Sequence, residues 1–161
     1  MTADHYNRQT MPGRKSLSRT GKGVITPTIL VVDDEPDVLN ALRRRLEYMG
    51  FRVICAEDGE MATQVAFHES PDVIILDVGL PMLDGHGVAE RLRHSRQTRY
   101  TPVIYLTART AQEDRASADE NCAFAYITKP FIAAEILSTV NRALELSQAM
   151  FDKYELWESG N

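Results

Sequence analysis

Short runs of apolar, mostly β-branched residues recur along this chain, and most of them end in a residue that carries chemistry. Ile29-Leu30-Val31-Val32 runs into Asp33 and Asp34, Val73 to Leu76 into Asp77, and Val103 to Leu106 into Thr107. Ala123 to Ile127 leads to Lys129 and Pro130, and a further run spans Phe51 to Cys55. These runs are too short for helices and show no polar alternation, so each predicts a strand buried on both faces. The segments between them place apolar residues at helical spacing: Val38, Leu39, Leu42, Leu46 and Met49 in the first, then Met61, Val65 and Ala66 in the second. A third passes through Val88, Leu92 and Arg93, a weaker fourth spans about 110–121, and a fifth begins near Ile132 and contains Ile136, Leu137, Val140 and Leu144.

Five strand-then-helix units in succession predict a doubly wound α/β fold, a five-stranded parallel sheet with helices on both faces. Each parallel crossover needs a helix to return the chain to the same end of the sheet. Two strand orders are common for this pattern. In both, ligands bind beyond the carboxyl ends of the strands. Asp33, Asp34, Asp77, Thr107 and Lys129 all fall at that edge, so residues far apart in sequence are expected to meet in one pocket.

Three carboxylates in a partly buried cleft repel one another unless a cation stands among them. Hard oxygen donors with positions left for water and phosphate suit Mg2+ better than zinc or a caged calcium ion. Lys129 offers a point cation and Thr107 a hydroxyl donor for phosphate oxygens, while the Asp77 carboxylate is placed to attack phosphorus. Taken singly, each element has an ordinary explanation. Asp34, Glu35 and Asp37 favour the start of the first helix, Asp77 reads equally as a helix cap, and Lys-Pro is a common loop. Only the joint pattern specifies the site.

With 161 residues and 43 % hydrophobic content, the chain suits one compact domain with tails. Residues 1–27 read as a flexible basic leader, with Arg8, Arg14, Lys15, Arg19 and Lys22 against Asp4. The remainder is acidic within a net charge of -5, which disfavours phosphate-backbone binding. No apolar run of about 18 residues and no secretory signal is seen, so a cytoplasmic protein without a membrane partner is expected. Cys55 and Cys122 lack metal-ligand spacing.

The stretches Ile29-Leu30-Val31-Val32-Asp33-Asp34-Glu35-Pro36, Leu76-Asp77-Val78-Gly79-Leu80-Pro81-Met82-Leu83-Asp84-Gly85, Leu106-Thr107-Ala108-Arg109 and Tyr126-Ile127-Thr128-Lys129-Pro130-Phe131 resemble the receiver domain of response regulators in two-component systems. The likeness covers about residues 28–147. It implies the flavodoxin-like strand order 2-1-3-4-5, for which a member of this family serves as a standard illustration. That order puts Cys55 and Cys122 near opposite sheet edges, too far apart to bridge. The resemblance further implies that Asp77 is the phosphoacceptor, and that Asp33, Asp34, Asp77 and the Gly79 backbone carbonyl bind Mg2+. Thr107 and Lys129 would contact the phosphoryl group, with Thr107 and Tyr126 as the switch pair.

The implied partners are a histidine kinase or phosphotransfer protein as donor and an unidentified downstream protein. The latter would be met by the face built from the fourth helix, fifth strand and fifth helix. The chain departs from the family's habits at Cys122, Phe124 and Ala125, and it carries Gly79 and Arg109 where the family tunes phosphate lifetime.

After the fifth helix no nucleic-acid-binding domain or other output module is expected. Residues 148–161 read as a helical extension or tail. Ile136, Ala143, Met150 and Trp157, with Val140, Ser147 and Tyr154, recur at seven-residue spacing, a seam that offers either a homodimer contact or packing on the domain itself. Two other functions compete with the signalling switch, in which only slow autodephosphorylation is expected as catalysis. A Mg2+-dependent phosphohydrolase on a related sheet would carry its second acid two residues beyond a nucleophile on strand one. Asp33 and Asp34 are adjacent instead. A non-phosphorylated binding scaffold would be expected to have lost some of the chemical positions, and all are intact.

Overall fold

The computed structural model of the protein describes residues 26–108 and 123–159. The expected leader apart from its last two residues, the helix expected over about 110–121, Arg109 and Cys122 all lie outside the described residues. So do the side chains of Tyr154 and Trp157.

Five strands form one parallel sheet: β1 (Thr28–Val32), β2 (Arg52–Ala56), β3 (Val73–Asp77), β4 (Val103–Thr107) and β5 (Ala125–Thr128). Their order is β2-β1-β3-β4-β5, with the winding reversing between β1 and β3. The described helices are α1 (Pro36–Tyr48), α2 (Gly59–Glu69), α3 (Gly85–Arg93) and a C-terminal helix, here α4 (Ala133–Ser159), which is the fifth helix expected from the sequence.

Alternate strand residues serve opposite faces, and the two cores follow from that period. Ile29, Val31, Val73, Ile75, Ile104, Leu106 and Ile127 pack against Leu39, Leu42 and Leu46 of α1 and Ile136, Val140 and Ala143 of α4. Leu30, Val32, Ile74, Leu76, Val103 and Tyr105 pack against Ala62 and Ala66 of α2 and Val88, Ala89 and Leu92 of α3. Leu46 is fully buried, so its truncation to alanine is expected to cost about 2–5 kcal/mol. Met49, at the end of the apolar repeat in α1, is instead the C-cap, and Gly50 follows with φ +91°, a left-handed stop open to glycine.

β2 and β5 begin later than the apolar pattern suggests. Phe51 precedes β2 and packs from the adjoining turn. Ala123 and Phe124 pack on the core before β5 starts at Ala125, the Phe124 amide donating to the Val103 carbonyl at 2.8 Å. In α4 the seam residues Ile136, Val140, Ala143 and Ser147 are buried against the domain, whereas Met150 is exposed. The seam is therefore occupied by its own domain through Ser147. Among the described residues no helix is long and apolar enough to cross a membrane.

Candidate functional site

The pocket lies where β1, β3, β4 and β5 end. Asp33 directly follows β1, and its amide donates to the Ala56 carbonyl at 3.2 Å, which carries the sheet one residue past the strand and fixes the side chain's origin. Asp77 is the last residue of β3, and Thr107 the last of β4. Lys129 follows β5, and its amide donates to the Thr107 carbonyl at 2.7 Å. The structure thus brings Asp33, Asp77, Thr107 and Lys129 to one edge, as the sequence predicts.

The Lys129 ammonium stands among the acids. Its Nζ is 2.7 Å from Asp33 Oδ2, 3.4 Å from Glu35 Oε1 and 3.6 Å from Asp77 Oδ2. Asp33 Oδ1 also accepts from the Glu35 amide at 2.9 Å, and Asp77 Oδ1 accepts from the Gly79 amide at 3.2 Å. Burial and then the charge of Asp33 push the Asp77 carboxyl above the usual carboxylate range, against the opposing pull of the Gly79 amide and Lys129. Burial pulls the Lys129 ammonium down, but its hydrogen bond to Asp33 and the charges of Asp77 and Asp33 outweigh it, and the net direction is upward. Lys129 therefore stays charged in a pocket that holds more anion than it can neutralise.

The helix-cap explanations do not account for these acids. Glu35 occupies the N-cap of α1 without a side-chain cap bond, and Pro36 opens the helix. Asp33 is fully buried and points to Lys129. Asp84, not Asp77, caps α3 by accepting from the Gly87 amide at 2.8 Å.

The β3–α3 connection is shaped by close contacts that only glycine permits. A Cβ on Gly85 would lie 2.5 Å from the Asp77 carbonyl oxygen, and one on Gly59 would clash with the Leu83 carbonyl oxygen. The start of α3 is thereby seated on the backbone of Asp77, and the loop is pressed onto the start of α2. Between these points Met82 is fully exposed and holds φ +65°, a left-handed conformation costly for a side chain with Cβ.

The donor set suits a hard divalent cation. Ligand oxygens of Asp33, Asp34 and Glu35 lie within 4.8 Å of one another, and Asp77 joins them through the Lys129 ammonium that it shares with Asp33 and Glu35. All are carboxylates, with one ammonium against them, which is oxygen chemistry of the Mg2+ type. Glu35 was not among the residues expected in the site. The signal was present in the unbroken run Asp33-Asp34-Glu35, where helix-start preference offered a competing explanation. Tyr126 lies on β5, paired in register with Tyr105 of β4, and its ring stacks on that of Tyr105.

A doubly wound sheet with acids at the ends of β1 and β3 and a lysine after β5 gathers its polar groups at the carboxyl edge, where α/β sheets of this winding bind their ligands. The sequence matches the response regulator receiver domain family over residues 29–141, and the chain belongs to that family. It is 42 % identical over 122 residues to the transcriptional regulatory protein PrrA of Mycobacterium tuberculosis, covering 76 % of this chain and 52 % of PrrA. It is 42 % identical over 120 residues to the alkaline phosphatase synthesis transcriptional regulatory protein PhoP of Bacillus subtilis, covering 74 % of this chain and 49 % of PhoP. The chain thus spans about half the length of these curated relatives.

Among solved structures, the chemotaxis protein CheY4 of Vibrio cholerae superposes with a TM-score of 0.71 at 30 % identity, over 74 % of this chain and 100 % of that one. The receiver domain of the sensor histidine kinase PA1611 of Pseudomonas aeruginosa, solved with a magnesium ion in its active-site cleft, superposes with a TM-score of 0.69 at 31 % identity. That match covers 75 % of this chain and 99 % of the other.

Proposed function

We propose that this receiver domain is a phosphorylation-dependent switch whose acceptor is Asp77. The observation that carries the reading is the contact of a single ammonium, Lys129, with both Asp33 and Asp77. Asp33 has no exposed side-chain surface and is committed to Lys129 and the Glu35 amide, whereas the Asp77 side chain retains 9 % exposure. Asp77 is therefore the buried acid that an incoming phosphoryl group can reach.

The donor is a phosphohistidine on a histidine kinase or phosphotransfer protein. An Asp77 Oδ attacks phosphorus, the P–N bond breaks, and the imidazole leaves with its electron pair, giving an aspartyl-phosphate. Lys129 faces the charge gathering on the phosphoryl oxygens, and the Thr107 hydroxyl donates to one of them. Asp33, Asp34, Asp77 and the Gly79 carbonyl would hold Mg2+, with Glu35 alongside. When bound, the ion supplies charge neutralisation for phosphate and carboxylates together. Water attack on the acyl phosphate reverses the modification slowly, and no other catalysis belongs to the domain. The modified state is read by a downstream protein at the face containing β5 and α4, through Thr107 and Tyr126.

Incubation with acetyl phosphate and Mg2+, followed by intact-mass measurement, tests this. Slow addition of one phosphoryl group, absent in Asp77→Asn and in EDTA, is the expected result. Labelling that survives Asp77→Asn would overturn the assignment, failure of wild type to label would favour a scaffold, and rapid turnover of phosphate esters would favour a hydrolase.

A further inference from the structure

Three aromatic rings, those of His86, Tyr105 and Tyr126, make successive contacts. Tyr105, fully buried on β4 two residues before Thr107, contacts both the His86 ring of α3 and the Tyr126 ring of β5. The His86 and Tyr105 ring centroids are 4.9 Å apart at an interplanar angle of 48°. Those of Tyr105 and Tyr126 are 5.1 Å apart at 25°, a stacked pair. Both separations lie within the range where aromatic pairs attract beyond the area they bury. The Tyr126 hydroxyl is out of solvent, and so is His86 Nε2, which has no hydrogen-bond partner among the described residues.

Register makes the arrangement specific. Tyr105 and Tyr126 are direct neighbours across the β4–β5 pair, and Thr107 is the next residue of β4 on the same face as Tyr105. Tyr105 sits in the α2–α3 core, where Tyr126 packs against it. A ring on β5 that turns inward therefore meets the buried Tyr105 ring, which is itself in contact with His86.

We propose that Tyr105, backed by His86, is a positioning residue that holds Tyr126 inward before any phosphoryl group arrives, so that the β5 part of the readout face is preset. This rests on the reading of Tyr126 and Thr107 as the switch pair, and it changes what phosphorylation does in this chain. Thr107 remains to be drawn toward the phosphoryl group, while the aromatic half of the switch is in place beforehand. The unmodified protein then engages its target with an affinity closer to that of the modified protein than a freely swinging tyrosine would allow. Each ring pair is worth about twofold to tenfold in the ratio of inward to outward populations.

The test uses the full chain with isotope-labelled tyrosine and a soluble paramagnetic agent that broadens exposed rings, the Tyr126 signal being assigned with Tyr126→Phe. In wild type the Tyr126 ring is expected to be protected equally with and without Mg2+ and beryllofluoride. In His86→Ala, which alters only the outer ring of the row, protection of Tyr126 without beryllofluoride should fall a few-fold, and His86→Phe should restore it. In Tyr105→Leu the ring should be exposed until beryllofluoride is added. A wild-type ring that is exposed at rest and becomes protected only with beryllofluoride overturns the inference, as does unchanged protection in both His86→Ala and Tyr105→Leu. The amides of Val78 and Gly79 report separately on the pocket. Their failure to shift with Mg2+ and beryllofluoride would overturn the phosphoacceptor reading, while the ring measurement at rest still decides the placement of Tyr126.

Discussion

Replacing Lys129 by methionine removes the ammonium that stands among the site carboxylates and keeps a straight stem of similar length in its place. At an effective dielectric of about 20, the attraction of Nζ is about 6 kcal/mol for Asp33 at 2.7 Å and about 5 kcal/mol for Asp77 at 3.6 Å. Most of that is offset by the cost of taking the charges out of water. Breaking a buried pair by removing one partner typically loses about 3–5 kcal/mol, because the remaining charge is left uncompensated. Asp33 has no exposed side-chain surface to let water compensate it, but Lys129 keeps 17 % exposure, which places the expected loss near the lower end, about 3 kcal/mol.

The assay is urea unfolding followed by far-UV circular dichroism at neutral pH, in EDTA and again in Mg2+. In EDTA the variant's midpoint should fall with an unchanged slope, since the surface exposed on unfolding is the same. Mg2+ should then stabilise the variant more than it stabilises wild type. A divalent cation gains affinity when a competing ammonium is removed from its carboxylates, and tighter ligand binding raises stability by mass action. A variant within about 0.5 kcal/mol of wild type in EDTA, a difference ordinary for surface substitutions, would refute the reasoning. An equal Mg2+ increment in both proteins would refute it independently.

Met82→Gly should stabilise the protein by about 0.5–1 kcal/mol in the same assay, because relief of the left-handed cost of about 1–2 kcal/mol exceeds glycine's extra chain entropy. Any destabilisation would show that the exposed methionine is not strained. Gly59→Ala should lose about 1–3 kcal/mol and weaken Mg2+ binding by calorimetry, since its Cβ would press on the Leu83 carbonyl and shift the loop that carries Gly79. Unchanged stability and affinity would refute the seating of that loop on α2. The Cys55 thiol is pushed up chiefly by burial, with Arg43 opposing and Glu47 reinforcing. In Cys122→Ser it should react with a disulfide reagent at mildly alkaline pH more slowly than the denatured chain, and equal rates would refute its protection.

Much of this was legible in the sequence because parallel strands covered on both faces leave an unmistakable mark. Ile29 to Val32 and Val73 to Leu76 are apolar at every position, and the first polar residue after each run marks the sheet edge where function collects. Pattern alone did not place strand starts. Phe51, Ala123 and Phe124 are as apolar as strand residues but pack from adjoining turns. Glu35 was obscured because one residue type serves both a helix start and a cation site, and only coordinates show which its carboxylate faces. The row from His86 through Tyr105 to Tyr126 joins three segments, so no spacing within any one of them announces it.

The same register that assembles the pocket ties it to β5. The Val78 amide donates to the Leu106 carbonyl at 2.9 Å, and the Lys129 amide to the Thr107 carbonyl at 2.7 Å. The residues after β3 and β5 are thus both hung from the end of β4. A pull on the Thr107 side chain acts on a residue whose carbonyl already holds the backbone of Lys129, while Asp33 and Asp77 hold that lysine's ammonium. Coupling of this kind needs no long route through the core. It needs a sheet edge at which adjacent strands end within one residue of each other in register, and β3, β4 and β5 do so at Asp77, Thr107 and Thr128.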